Sequence, residues 1–180
     1  MAKFFEAITD KLGEFIAAQH VFFVATAAED GRINLSPKGY DALRVLGPKR
    51  LIWLNLSGSG NETAAHVRAV NRMTLMFCAF EGAPLILRIY GSAKTIHPRD
   101  EEWSQLYKHF DDYSGARQIF DLQVESLQTS CGFGVPLYEF AGERSKLIEH
   151  SDAKGREIIE KGWAEKNATS IDGLETGILD

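Results

Sequence analysis

The sequence has few cysteines, no excess of positive charge and no long apolar run. Only two of its 180 residues are cysteines, too few for a disulfide framework, and Cys78 and Cys131 lack the CxxC spacing of many metal sites. Twenty Lys and Arg residues stand against twenty-five Asp and Glu, and the net charge of −5 argues against nucleic-acid binding through a general cationic surface. No stretch approaches the roughly 20 apolar residues of a membrane span, so no membrane association is expected.

The rest of the composition is that of a globular protein. Hydrophobic residues make up 44% of the chain and charged residues 25%. Charged residues interrupt the apolar ones in segment 1–20, which therefore lacks the continuous apolar region of a signal peptide. We expect a single domain over residues 1–180 with reduced cysteines and a cytoplasmic location.

The hydrophobic pattern predicts a mainly β protein with peripheral helices. Apolar residues at three- to four-residue spacing predict an N-terminal helix over 3–18, and a helical tail is predicted over about 144–180. Between them, at about 20–140, six or seven strands are joined by short turns without regular strand–helix–strand alternation, which favours a small antiparallel barrel. The strands are predicted at 20–26, 33–36, 51–56, 72–80, 85–96 and 120–125, with helices at 62–70 and from 98.

One predicted strand ends in Ser36-Pro37-Lys38-Gly39. A glycine there lets the backbone approach a ligand closely, and the neighbouring lysine would supply an ammonium group. The same four residues also fit an ordinary turn with a solvated lysine. Both interpretations stay open on the sequence.

A glycine-rich loop, residues 57–63, lies between a predicted strand and a predicted helix. Its glycines free backbone N–H groups to converge, its Ser and Thr hydroxyls add donors, and the helix N-terminus favours an anion. The loop lacks the GK[ST] ending of a Walker motif, and the carboxylate of Glu62 would repel a phosphate unless it points away or caps the helix. The alternative is a flexible loop in which Asn61 caps the helix.

Histidines and one arginine complete the candidate residues. The five histidines show no HxxxH or HExxH pattern, so no zinc site is predicted, although His66 lies close to the glycine-rich loop. Arg88 lies inside an apolar strand, where a buried guanidinium normally has a carboxylate or phosphate partner. A salt bridge or a cofactor contact would satisfy it.

The order of these segments resembles the pyridoxamine 5'-phosphate oxidase family of FMN-binding split barrels. The resemblance is carried by FFVATAAEDGRINLSPKG, LIWLNLSGSGNETAAHV, RMTLMFCAFEG and LRIYGSAK. CGFGVP and KNATSIDGL resemble the tail of a shorter subgroup of that family. The resemblance implies a six-stranded antiparallel split β-barrel that forms a homodimer with FMN at the subunit interface. It also implies that Ser36, Pro37, Lys38 and Gly39 flank the flavin, that Leu54 and Asn55 line its ring, and that Ser59, Asn61 and Thr63 bind its phosphate.

The sequence departs from the oxidases that make pyridoxal phosphate. Their phosphate loop carries an Arg-Lys pair, whereas this loop has no basic residue, so Lys38, Arg68 or Arg88 would have to balance the phosphate charge. Their later Arg-Gln pair corresponds here to Leu85 and Ile86, and their C-terminal Trp and Arg have no match. We therefore expect FMN binding without pyridoxamine-phosphate oxidation.

The leading hypothesis is an FMN-dependent oxidoreductase that acts on a small molecule. Lys38 is the candidate catalytic residue, since its ammonium would stabilise negative charge on the reduced ring. A non-enzymatic barrel that binds flavin, or haem through His66 or His20, is the alternative. A third possibility is a dimeric interaction module that has lost its cofactor.

Overall fold

The computed structural model describes residues 2–180, which form eight strands and five helices. The strands are β1 (Lys3–Phe5), β2 (Phe22–Thr26), β3 (Asn34–Lys38), β4 (Leu43–Gly47), β5 (Arg50–Leu56), β6 (Met73–Cys78), β7 (Ile86–Ile96) and β8 (Ala116–Ser130). The helices are α1 (Asp10–Ala17), α2 (Glu62–Ala69), α3 (Trp103–Tyr107), α4 (Lys146–Lys154) and α5 (Arg156–Lys166). Among residues 2–180, no helix is both long and apolar enough to cross a bilayer.

All eight strands belong to one antiparallel sheet with the order β3-β2-β6-β7-β8-β5-β4, and β1 pairs with β8. The sheet is open at β3 and β4. This architecture confirms the predicted split barrel but has eight strands where six were expected. The two additional strands are β1 and β4, and neither was predicted as a strand from the sequence.

The sheet curves until distant strands meet. Three strands separate β2 from β5 in the sheet, yet the rings of Phe22 and Trp53 have centroids only 6.2 Å apart. The central β7–β8 pair bends at Gly91, where a Cβ would stand 2.0 Å from the carbonyl oxygen of Gln123. Only a glycine fits this irregularity, which helps the strands to close around the core.

Two apolar clusters fill the structure. The larger lies inside the barrel and includes Trp53, whose ring stacks on Phe120 with centroids 4.6 Å apart. α1 closes one end of this cluster with Leu12 and Ile16. The second cluster packs α3 against the opposite side of β5 and β8. β5 is therefore buried on both faces, as its continuous apolar pattern predicts.

The ends of the chain differ from the predicted helices. The N-terminal helix spans residues 10–17 rather than 3–18, because Thr9 caps it by accepting a hydrogen bond from the amide of Leu12 at 3.4 Å. Residues 3–5 instead extend along β8 as β1. In the C-terminal tail, Gly155, with φ of 75°, separates α4 from α5. Residues 167–180 are not helical.

Candidate functional site

A polar cavity of about 320 Å³ lies where β3, the loop after β5 and the start of β8 meet. The N-terminus of α2 forms part of its wall. This placement brings together segments that are far apart in the sequence. The polar side chains that line the cavity are Asn34, Ser36, Lys38, Asn55, Ser59, Asn61, Glu62, Thr63 and Arg117.

β3 presents one polar face to the cavity because side chains alternate along a strand. Asn34, Ser36 and Lys38 are half-buried and line the cavity, whereas Leu35 and Pro37 between them are exposed. The Asn34 amide donates to Thr63 Oγ1 at 3.0 Å and its oxygen accepts from Ser36 Oγ at 3.1 Å. These bonds fix β3 relative to the first turn of α2.

Arg117, near the start of β8, supplies a buried positive charge to the cavity. It is only 3% exposed. Its Nε and Nη2 donate to Asn55 Oδ1 at 3.2 and 2.7 Å, and its buried Nη1 has no hydrogen-bond partner among the described residues. None of the ion pairs among residues 2–180 includes this guanidinium. Burial alone lowers the pKa of Arg117 to about 10.

Lys38 is the second cation of the cavity. Its Nζ lies 5.3 Å from the centroid of the Trp53 ring. Burial, and secondarily the positive charge of Arg117, lower the pKa of Lys38 from 10.5 to about 8. Two cations thus share a partly desolvated site, and neither forms an ion pair within residues 2–180.

A buried amide network holds the glycine-rich loop against β8. Gln118 donates from Nε2 to Asn61 Oδ1 at 2.6 Å and to Asn55 Oδ1 at 3.2 Å. Asn61 occupies the N-cap position of α2, as predicted, but its side chain makes no capping hydrogen bond. Because its oxygen is committed to Gln118, the first turn of α2 keeps backbone donors available for another acceptor.

The C-terminal region braces the same loop from outside. Trp163 Nε1 donates to Ser57 Oγ at 2.8 Å, and Asn167 Nδ2 donates to the carbonyl oxygen of Ser59 at 3.3 Å. The Glu62 carboxylate accepts from the amide of Ile171 at 3.1 and 3.2 Å. This contact occupies the carboxylate that the sequence flagged as an obstacle to phosphate binding.

Arginines fasten the tail to the barrel. Arg32 pairs with Asp172, and Arg68 pairs with Asp180. Arg99 donates to the carbonyl oxygens of Gly177 and Ile178 at 2.5 and 2.9 Å. Arg68, one of the residues considered for balancing a phosphate charge, therefore serves the tail and does not line the cavity.

The structure brings six of the ten predicted cofactor residues together around the cavity and places four elsewhere. Those that line it are Ser36, Lys38, Asn55, Ser59, Asn61 and Thr63. Pro37 lies on the exposed face of β3, and Gly39 lies beyond that strand beside Glu143. Leu54 is buried in the second apolar cluster, and its amide donates to the carbonyl of Ala42 at 2.8 Å. Arg88 on β7 reaches only toward Ser130 Oγ, at 3.5 Å.

The sequence interpretation missed Arg117 and Asn34. β8 was expected to begin at residue 120, so Arg117 was assigned to no strand. Arg117 lies among the apolar residues Ala116, Ile119 and Phe120. An arginine within an apolar strand is the same pattern that made Arg88 a candidate. Asn34 carried no such signal, because its partner Thr63 is 29 residues away.

The two histidines considered as haem ligands, His66 and His20, each contact a neighbouring side chain. His66 is 1% exposed, and its Nδ1 lies 3.1 Å from Thr26 Oγ1. His20 stacks on Phe140 with ring centroids 3.7 Å apart. This stack borders a larger cavity of about 570 Å³, whose lining includes no lysine or arginine. Among residues 2–180, no group of three or more His, Cys, Asp or Glu side chains could hold a metal ion.

Solved structures with the same fold come from several bacteria. HupZ of Group A Streptococcus is 19% identical, with a TM-score of 0.53 over 67% of this chain and 91% of HupZ. An FMN-binding protein from Syntrophomonas wolfei subsp. wolfei is 12% identical, with a TM-score of 0.50 over 69% of this chain and 83% of that protein. At sequence identities this low, the similarity shows a shared fold and nothing more specific.

Sequence comparison gives a more specific result. A fungal protein from Aspergillus flavus, the pyridoxamine 5'-phosphate oxidase family protein ustO, is 38% identical over 144 residues, which is 77% of this chain and 58% of ustO. The chain thus spans less than two thirds of that relative. The family model for pyridoxamine 5'-phosphate oxidase matches residues 8–131, which include all the cavity residues named above. The chain therefore belongs to the pyridoxamine 5'-phosphate oxidase family.

Proposed function

We propose that the protein binds FMN in the polar cavity and is an FMN-dependent oxidoreductase acting on a small molecule. Membership of the pyridoxamine 5'-phosphate oxidase family supports a flavin as the cofactor. The neighbour from Syntrophomonas wolfei, which shares the fold, is an FMN-binding protein. Catalysis and the identity of the flavin are part of this proposal.

One observation carries the proposal: the β3 face and the glycine-rich loop converge on one cavity. The family resemblance implies that Ser36 and Lys38 flank the flavin and that Ser59 and Thr63, on another segment, bind its phosphate. In the folded chain they line the same polar space. The cavity joins hydroxyl donors, a helix N-terminus and two cations that form no ion pair within residues 2–180, and its one carboxylate, Glu62, accepts from the Ile171 amide. This combination fits an anionic ligand.

The residues fit the chemistry of FMN in distinct ways. Ser59 and Thr63 offer hydroxyls to the phosphate, and α2 directs its N-terminus toward it. Arg117, whose Nη1 lacks a partner, offers a guanidinium. Lys38 holds an ammonium group over Trp53, where it would stabilise negative charge on a bound ring. A bound flavin supplies the electron transfer itself.

We further propose that the protein is a homodimer with FMN at the subunit interface. Two exposed apolar side chains support the dimer. Leu35 lies on the edge strand β3, which forms a wall of the cavity, and is 64% exposed; Ile33 directly precedes β3 and is 77% exposed. A second copy lying against β3 would cover this apolar surface and complete the cavity. Sedimentation of the purified protein tests the dimer. A monomer at micromolar concentration would contradict it.

The cytoplasmic location remains a prediction.

Absorption spectroscopy of the purified protein tests the cofactor. We expect flavin bands, and FMN identified by mass after denaturation, or FMN uptake on titration of flavin-free protein. Lys38→Met should weaken this uptake, whereas Lys49→Met, which changes an exposed lysine outside the cavity, should not. A Soret band, or no FMN uptake at all, would refute the proposal.

A separate measurement tests catalysis. Reduction of FMN by NADH or NADPH should be faster on the protein than in free solution, and slower in Lys38→Met saturated with FMN than in the wild type. Equal rates for free and bound FMN with both donors would favour a non-enzymatic flavin binder.

A further inference from the structure

We infer that Arg117 makes the cavity selective for a phosphate monoester, so that the protein binds FMN and discriminates against riboflavin. This inference rests on the proposed function and specifies which residue recognises the ligand. Arg117 lies on β8, outside the glycine-rich loop whose lack of basic residues raised the question of charge balance.

Arg117 lacks a counter-charge within residues 2–180. A guanidinium that is 3% exposed is costly to keep charged unless an anion lies near it. Among residues 2–180, Arg117 has no carboxylate partner, and its Nη1 makes no hydrogen bond. A bound dianion would supply both missing interactions.

Neutral groups fix the orientation of the Arg117 guanidinium. Asn55 Oδ1 accepts from Nε and Nη2, which holds one edge of the planar group. Gln118 donates to the same oxygen and so fixes Asn55 in turn. Neutral partners orient the arginine without cancelling its charge, and a pre-oriented guanidinium binds phosphate with less loss of side-chain entropy.

The other arginines considered for balancing a phosphate charge lie outside the cavity. Arg68 pairs with Asp180 at the tail, and Arg88 lies on β7 outside the cavity. Only Lys38 and Arg117 bring positive charge to the cavity lining. Lys38 has its ammonium group over Trp53, so Arg117 is the cation that remains for the phosphate end of the ligand.

A purely structural role is the competing explanation, in which Arg117 only anchors Asn55. The two roles differ in their effect on ligand selectivity. An anchor would affect FMN and riboflavin alike, because both would lose the ordered cavity. A phosphate-binding arginine affects only the phosphorylated ligand.

The experiment compares the dissociation constants of FMN and riboflavin for three proteins: wild type, Arg117→Gln and Arg88→Gln. We expect wild type and Arg88→Gln to prefer FMN at least tenfold. Arg117→Gln should raise the FMN constant about 10- to 100-fold, as for loss of a charge-assisted hydrogen bond, and change the riboflavin constant less than about threefold. Arg117→Lys, which keeps the charge, should restore part of the preference.

Inorganic phosphate provides a second measurement that needs no variant. It should raise the melting temperature of flavin-free wild type and compete with FMN, but not with riboflavin. If Arg117→Gln does not fold, this measurement decides. Three results would each refute the role of Arg117 while leaving flavin binding intact. The wild type could bind both flavins with equal affinity, Arg117→Gln could lose affinity for both equally, or phosphate could have no effect. If neither flavin binds the wild type, the proposed function fails, and phosphate stabilisation would still support the anion site.

Discussion

Replacing Lys38 by methionine should make the flavin-free protein more stable while weakening FMN binding. Lys38 shares its site with Arg117 and has no ion-pair partner among residues 2–180, so its charge opposes folding. Methionine retains most of the apolar stem, including its contact region near Trp53, and removes the charge. A residue kept for structure would show the opposite change in stability.

The expected magnitude follows from the pKa of Lys38. A fall from 10.5 to about 8 corresponds to about 3 kcal/mol, at about 1.4 kcal/mol for each tenfold change in the ionisation constant. We expect a gain of about 2 kcal/mol at pH 7, because the half-buried side chain keeps part of its hydration.

The pH dependence has a defined sign. The folded state holds the Lys38 proton less tightly than the unfolded state, so the cost of the charge is fully present below pH 8. The cost disappears as the pH rises from 8 to about 10.5. The stability difference between Lys38→Met and the wild type should therefore shrink over this range.

Urea denaturation of both proteins without flavin, at pH 7 and at pH 10, measures this difference. Lys49→Met is the control and should match the wild type at both pH values, because Lys49 is exposed. The reasoning is refuted if Lys38→Met is less stable than the wild type at pH 7, or if its advantage is the same at pH 10.

Three further predictions concern ligand binding. The FMN dissociation constant of the wild type should rise about tenfold between pH 7 and pH 9, because the ammonium of Lys38 loses its proton over this range. In Lys38→Arg the constant should stay nearly the same. Titration calorimetry measures both proteins, and parallel pH curves would contradict the prediction. Asn55→Asp should give Arg117 a carboxylate partner, so FMN affinity should fall at least about tenfold while the flavin-free protein gains stability. Trp163→Phe removes the hydrogen bond to Ser57 Oγ, which is worth about 1 kcal/mol. The variant should bind FMN about three- to fivefold more weakly, with an unchanged dissociation constant for riboflavin. Unchanged FMN binding would show that the tail does not position the glycine-rich loop.

Local sequence patterns were sufficient to predict most of the barrel. β5 was predicted as a doubly buried strand because its apolar run is continuous, and α2 was predicted with Asn61 at its N-cap position. The segment 3–5 was assigned to a helix because Phe4 continues the helical spacing of Ile8 and Leu12, whereas pairing with β8 gives it an extended conformation. That pairing joins residues more than 100 positions apart, and no local pattern reports it.

The segments of the candidate site were predictable, and of its two cations Lys38 was predicted and Arg117 was not. Ser36 and Lys38, and Ser59 and Thr63, were selected from two segments, and the fold brings them together. Pro37 was selected with its whole segment and lies on the exposed face of β3, so its contact with the flavin stays a prediction. Arg117 was missed because the strand was predicted to begin only at residue 120, whereas β8 begins at Ala116.

A crystal structure of the protein with FMN tests the central claim most directly. The account predicts a phosphate lying against the loop of residues 57–63, with its oxygens within hydrogen-bond distance of Arg117. An FMN phosphate in the larger cavity beside His20 and Phe140, or one that makes no contact with Arg117, would contradict the account.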